Sequence, residues 1–180
     1  GTTEKEIYGA NNANSLAAMS NLALAYFENK EYEKAEKLFL EAIDMDRKIL
    51  GEKHISNTIT MSNLANLYLA ISEYKKAEKL LLESLSIRKE YLNKEHPDIA
   101  SNLIDLGEIY KEKGLIEKAI DLTEKGIKMD ILLIQREAPF LSLEDRLNYV
   151  SEFNYGYDQA IQFSFKDPLG TKLALFARLN

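Results

Sequence analysis

EYEKAEKLFLEAI, at residues 31–43, returns 42 positions later as EYKKAEKLLLESL at residues 73–85. A segment that recurs at a fixed interval indicates a repeated structural unit. Four columns keep one residue through three copies at this interval: Leu22, Leu64 and Leu106; Tyr26, Tyr68 and Tyr110; Ala35, Ala77 and Ala119; Leu38, Leu80 and Leu122. The period therefore predicts three copies of one structural unit.

Each copy has the pattern of a helical hairpin. Apolar residues recur at helical spacing in both halves of the first copy, at Met19, Leu22, Ala23 and Tyr26 and again at Ala35, Leu38, Phe39 and Ala42. The apolar period breaks near residues 28–31, 71–73 and 113–115, where we predict the turns, and Gly114 supplies a helix stop in the third copy. Small residues at positions 23, 65 and 107 on the first helices and 35, 77 and 119 on the second predict close helix packing.

These columns resemble the tetratricopeptide repeat, whose signature has a large apolar residue, Leu, Gly or Ala, Tyr, Ala, Phe and Ala at the offsets of Leu22, Ala23, Tyr26, Ala35, Phe39 and Ala42. The 42-residue period and HPDIA at residues 96–100 resemble the kinesin-light-chain-like subtype. The resemblance implies an all-α, right-handed α-solenoid of three hairpins, at about residues 10–51, 52–93 and 94–135. Thr123 and Gly126 replace Phe39 and Ala42 in the third copy, and we expect them to loosen that hairpin.

Residues 136–180 leave the period and form a separate C-terminal helical segment in our prediction. SLED at 142–145 resembles a capping box, and DPLG at 167–170 predicts the start of a last helix. Six aromatic residues lie between positions 149 and 165, at spacing that favours a helix core. The segment resembles the helices that join bacterial tetratricopeptide arrays to CHAT domains, which are caspase-like peptidases. The resemblance implies that a peptidase-like domain follows in a longer protein. The peptidase activity itself would need a cysteine, which this chain lacks.

Composition excludes several functional classes. The net charge of −6 argues against a nucleic-acid partner, since such binding needs a basic surplus. No apolar run is long enough to cross a membrane, and the absence of cysteine favours a cytoplasmic location. We predict no cofactor and no metal site, because His54 and His96 occupy equivalent loop positions and belong to the repeat framework.

Stacked hairpins of this kind place their first helices along a concave wall. A second stripe on these helices, distinct from the core stripe, is the predicted peptide-binding site: Ser20, Asn21, Leu24, Phe27, Ile59, Ser62, Asn63, Asn66, Leu69, Asp105 and Glu108. Hydroxyls and carboxamides can bond both the N–H and the C=O of an extended peptide. We therefore predict a protein–protein interaction module that binds a peptide or partner protein without catalysis.

Two alternatives to peptide binding stay open at this point, and a third, catalysis, is not expected. The Asn and Ser side chains could only solvate a helix face or bond between repeats. The array could instead be a regulatory or structural arm that docks the downstream peptidase-like domain, with the groove idle. Asp105 and Glu108 lie one turn apart, but no nucleophile, histidine or metal cluster accompanies them, so we expect no catalysis. The basic residues of carboxylate-clamping relatives are missing, and we expect these two acids to favour a Lys- or Arg-bearing partner.

Overall fold

The computed structural model describes residues 4–137, with the side-chain environments of residues 15–130, 132, 133 and 136. Its helices are α1 (Glu4–Glu28), α2 (Tyr32–Leu50), α3 (Asn57–Ala70), α4 (Tyr74–Tyr91), α5 (Pro97–Glu112) and α6 (Ile116–Glu137). Consecutive helices pack in pairs, α1 with α2, α3 with α4 and α5 with α6. The predicted all-α fold of sequential hairpins is therefore confirmed. The capping box, the aromatic helix and the last helix predicted beyond residue 137 lie outside the described residues.

The described part of the chain divides into two compact units, the first ending at Tyr91 and the second beginning at Leu92. The first unit holds two hairpins, and α3 packs against both α2 and α4 within it. Its core contains the predicted small residues Ala23, Ala35, Ala65 and Ala77, each no more than 1% exposed. The helices of each hairpin approach closely along these alanines, as the sequence indicates.

All three hairpin turns have the same backbone design. Lys30, Ser72 and Gly114 occupy equivalent positions and have φ angles of 62°, 63° and 76°. In the first turn the Glu31 amide donates to the Tyr26 carbonyl at 2.8 Å, and the Lys30 amide donates to the Phe27 carbonyl at 2.9 Å. The same pair of bonds recurs in the other two turns, so each first helix ends in a Schellman motif. Its left-handed position is glycine only in the third turn.

The predicted core role of Leu22 is wrong. Leu64 and Leu106, in the same column, are 0% and 1% exposed, whereas Leu22 is 49% exposed. Packing explains the difference, because α3 has a helix on either side within its unit while α1 contacts α2 and, to a small extent, α3. Within the first unit α1 packs mainly on α2, and Leu22 lies on a face of α1 that stays exposed.

The third hairpin is tightly packed, so the expectation that Thr123 and Gly126 loosen it is wrong. A Cβ atom added at Gly126 would lie 2.7 Å from Ile104 Cγ1 and 2.8 Å from the Ala100 carbonyl oxygen. A Cβ added at Gly107 would collide with the Thr123 hydroxyl and lie 3.1 Å from the Ala119 carbonyl oxygen. Glycine at positions 107 and 126 therefore lets α5 and α6 approach closely in this hairpin.

A lysine on each second helix lies over the tyrosine of its own hairpin. The distances from Nζ to the ring centroid are 5.1 Å for Lys34 over Tyr26, 5.0 Å for Lys76 over Tyr68 and 3.7 Å for Lys118 over Tyr110. These lysines are spaced by 42 residues, so they form a further column of the repeat. Each contact joins the two helices of a hairpin by a cation–π interaction.

Polar contacts join the first hairpin to the second within the first unit. The Tyr68 hydroxyl donates to the Glu36 carboxylate at 2.6 Å, and Arg47 Nη2 donates to Glu83 at 2.7 Å. Burial, together with the hydrogen bond to Glu36, raises the pKa of Tyr68 far above its usual value. The two hairpins are therefore held in register by directed bonds as well as by apolar packing.

Candidate functional site

The first unit contains an open cavity of about 420 Å³ between its two hairpins. Two first helices form its walls, and the end of α2 forms its floor. The lining residues are Leu16, Ala17, Ser20, Asn21 and Leu24 on α1, Ala42, Asp46, Ile49 and Leu50 on α2, and Ser56, Ile59, Thr60 and Asn63 at the start of α3. We call this cavity the α1–α3 groove.

Local packing opens the α1–α3 groove. Since α1 and α3 touch at few points while both pack on α2, a furrow remains between them. The Ser20 and Thr60 hydroxyl oxygens lie 3.3 Å apart and join the two walls by a hydrogen bond. Ile59 is 61% exposed and Asn21 is also exposed, whereas Leu24 and Asn63 are half-buried. The groove thus offers apolar walls and two accessible carboxamides.

Five of the predicted site residues line the α1–α3 groove, namely Ser20, Asn21, Leu24, Ile59 and Asn63. Four others in the same unit do not line it. Phe27 packs on Tyr32, with ring centroids 5.9 Å apart, near the first hairpin turn. The Ser62 hydroxyl oxygen is buried and has no hydrogen-bond partner among the described residues, while Asn66 is exposed and Leu69 half-buried farther along α3. The groove therefore uses the N-terminal half of the predicted stripe on α3.

Asp105 and Glu108 lie in the second unit, on α5, where Asp105 is half-buried and Glu108 is exposed. They stay a predicted partner-binding pair of that unit. Within the described residues, no group of three or more His, Cys, Asp or Glu side chains is arranged to hold a metal ion.

The floor contains an acid that the sequence analysis missed. Asp46 is 6% exposed, and its Oδ2 atom accepts a hydrogen bond of 2.5 Å from the Ser56 hydroxyl. The Ser56 hydroxyl oxygen lies 2.8 Å from His54 Nδ1. Asp46 lies on a second helix, whereas the predicted stripe belongs to the first helices.

His54 and His96 occupy equivalent places before α3 and α5, as predicted. His96 Nδ1 accepts a hydrogen bond of 3.1 Å from the Asp98 amide and caps α5, whose first residue is Pro97. His54 Nδ1 accepts from the Ser56 amide at 3.3 Å in the loop before α3, a helix without a side-chain cap. His96 thus takes the capping role that Asn, Asp, Ser and Thr usually have, whereas His54 bonds within its loop.

Sequential helical hairpins with a repeated Tyr–Ala packing column and a groove between first helices define the class of α-hairpin repeat proteins. The family model described as tetratricopeptide repeat matches residues 14–90 and 56–131. The chain belongs to the tetratricopeptide repeat family. No curated protein sequence matches the chain, and none of the helices described above has the length and apolarity needed to span a bilayer.

Solved structures share the fold. One is a structure of nearly identical TPR-like repeats from a putative kinesin light chain of Podosopora anserina. It is 22% identical to this chain, with a TM-score of 0.61, and the match covers 92% of this chain and 73% of that one. BtubC (BKLC) from P. vanneervenii is 22% identical, with a TM-score of 0.62 over 66% of this chain. The match spans 47% of BtubC. The N-terminal domain of stress-induced protein-1 from C. elegans is 16% identical, with a TM-score of 0.54, and the match covers 66% of this chain and 86% of that domain.

Proposed function

We propose that the chain is a protein-interaction module that binds an extended peptide or a partner protein in the α1–α3 groove, without catalysis. The observation that carries this proposal is the convergence of five predicted site residues on one cavity. Tetratricopeptide repeats are in general protein-interaction modules, which agrees with this use of the groove.

Binding in the groove would combine two kinds of contact. Asn21 and Asn63 line the groove from α1 and α3, and a carboxamide can donate to a peptide carbonyl and accept from a peptide amide. Leu24 and Ile59 supply apolar surface for alternate side chains of the same peptide. A preformed groove of this kind needs little rearrangement on binding, which lowers the entropic cost of association.

The test begins with a random peptide library displayed on phage and selected on the 180-residue chain. A recovered peptide is synthesised with a fluorophore, and its affinity is measured by fluorescence anisotropy. Two lost hydrogen bonds of about 0.5–1.5 kcal/mol each should weaken binding roughly tenfold. We therefore expect this loss for the double variant Asn21→Ala and Asn63→Ala, with its helical circular dichroism unchanged.

Asn29→Ala provides the matched control, because Asn29 is an exposed asparagine in the first hairpin turn and does not line the groove. It should bind as the parent chain does. Failure to recover any peptide, or equal affinity for the parent and the double variant, would contradict the proposal.

An alternative function is that of a regulatory or structural arm that docks a CHAT peptidase-like domain. It depends on residues 136–180, of which 138–180 lie outside the described residues. Co-purification of that domain with the chain, unaffected by Asn21→Ala and Asn63→Ala, would favour the arm over the groove.

A further inference from the structure

The Asp46 carboxylate is a feature of the α1–α3 groove that main-chain binding does not use. Asp46 is 6% exposed and lies in the floor beside Ala42, Ile49 and Leu50. Its Oδ2 atom accepts the Ser56 hydroxyl, while Oδ1 makes no hydrogen bond within the part of the chain that the structure describes. A single hydrogen bond from a hydroxyl offsets only part of the free-energy cost of burying a charged carboxylate.

The surroundings of Asp46 oppose its negative charge. The carboxylate lies near the C-terminal end of α2, which ends at Leu50, and the helix dipole is negative there. The neighbouring cations are held elsewhere: Arg47 pairs with Glu83 and Glu52, and Lys48 pairs with Asp44 at 2.6 Å. Among the residues whose side chains the structure describes, no lysine or arginine lines the groove. The floor therefore has a largely buried carboxylate that no lysine or arginine of this part of the chain pairs with.

The charge at this position differs between the repeats. The 42-residue period brings Arg88 and Asp130 to the positions equivalent to Asp46, so the second hairpin has a cation where the first and third have an acid. The hairpin fold therefore accommodates either charge here. Of these three residues, Asp46 lines the α1–α3 groove.

We propose that the α1–α3 groove selects a peptide carrying a lysine or arginine, whose charged head pairs with Asp46. This inference rests on the proposed function and names the partner chemistry of the same site. The aliphatic stem of such a side chain fits apolar walls while its head reaches an acid. Leu24 and Ile59 supply those walls, and Ile49 lies in the floor, in a cavity of about 420 Å³. A cation at Asp46 would complete the pairing that the floor lacks.

The experiment uses the selected phage peptides and one synthetic pair that differ only at the basic position. One peptide carries lysine, and the other carries norleucine, which keeps the stem and lacks the ammonium group. Both are titrated into the parent chain and into Asp46→Asn. The asparagine retains an oxygen that can accept from Ser56, so the variant keeps the known contact of this side chain.

For the parent chain, we expect lysine or arginine to be enriched at one position among apolar neighbours, and lysine to bind at least about tenfold more tightly than norleucine. For Asp46→Asn, that preference should disappear while the norleucine peptide keeps its affinity. Asp44→Asn, on the exposed side of α2, should leave the preference unchanged.

The outcomes separate the two proposals. Peptides that bind through Asn21 and Asn63 with equal affinity for lysine and norleucine would overturn the role of Asp46 and leave the groove intact. The comparison of the two peptides on the parent chain needs no variant, so it decides the matter even if Asp46→Asn fails to fold. Recovery of no peptide would overturn both proposals.

Discussion

Each hairpin turn has one residue with a positive φ angle. Introducing glycine there should stabilise the first two turns, and removing the glycine of the third turn should destabilise it. Lys30, Ser72 and Gly114 all have positive φ between 62° and 76°. A left-handed conformation costs a residue with a Cβ atom about 1–2 kcal/mol, whereas glycine adopts it freely. Lys30→Gly and Ser72→Gly should each relieve this strain, and Gly114→Ala should introduce it.

The structure sets the expected magnitudes. A Cβ added at Gly114 meets no atom within 4 Å, so the effect of Gly114→Ala is conformational and not steric. We expect a loss of about 1 kcal/mol in the free energy of unfolding for Gly114→Ala. Lys30→Gly and Ser72→Gly should gain about 0.5–1 kcal/mol, since the greater freedom of glycine in the unfolded chain offsets part of the relief. Ser72→Gly also loses an exposed hydrogen bond of 3.3 Å from Tyr74, so it should gain less than Lys30→Gly.

Urea unfolding followed by circular dichroism at 222 nm measures these changes. Ser86→Gly is the matched control, because Ser86 is exposed in the middle of α4 and glycine there should cost about 0.5–1 kcal/mol. If Lys30→Gly and Ser72→Gly destabilise the chain as much as Ser86→Gly does, the Schellman geometry of the turns is refuted.

Three further predictions concern the hairpin core, a tyrosine and a helix cap. Gly107→Ala should lower the free energy of unfolding by about 1–3 kcal/mol through overpacking. Adding Thr123→Ala to that variant should recover part of the loss, because the threonine hydroxyl is the atom nearest to the new Cβ. Additive losses of the two substitutions in urea unfolding would contradict that contact. The raised pKa of Tyr68 keeps its phenol neutral in the folded chain, so stability is complete below pH 10 and falls as pH rises above it. Melting temperatures should therefore fall less steeply above pH 10 for Tyr68→Phe than for the parent, and equal slopes would rule out a buried phenol bonded to Glu36. His96→Ala should cost about 1 kcal/mol by removing the α5 cap, and an unchanged urea midpoint would argue against this role.

The period made most of the fold predictable from sequence. The alanines at positions 23, 35, 65 and 77 are buried as their column indicates, because a helix hairpin has few ways to bury a regular apolar stripe. Leu22 breaks its column, since burial there depends on a neighbouring helix that the sequence of one repeat does not report. A column is therefore reliable for contacts within a hairpin and less so for contacts between hairpins.

Two other columns are visible in the sequence, but their structural roles follow only from the structure. Lys34, Lys76 and Lys118 recur at the same period as the tyrosines beneath them, but lysines on an outer helix usually indicate a solvated face. Lys30 and Ser72 share a column with Gly114, yet neither residue is typical of a left-handed position.

The candidate site was predictable along its walls and not in its floor. Helical spacing placed Asn21 and Asn63 on equivalent faces of successive first helices, and both line the α1–α3 groove. Asp46 belongs to a second helix, whose residues reach the groove only because α1 and α3 stand apart above the end of α2. Such a contribution depends on packing between three helices, which the repeat pattern does not encode.

Methyl chemical shifts during peptide titration test the binding groove most directly. The chain is labelled at leucine and isoleucine methyl groups and titrated with a peptide selected from the phage library. Leu24 and Ile59 line the groove, whereas Leu40 and Leu82 are each 47% exposed on the second helices and serve as internal controls. The proposal predicts saturable shifts at Leu24 and Ile59 with Leu40 and Leu82 unchanged. Shifts confined to the second helices, with the groove methyls unmoved, would contradict it.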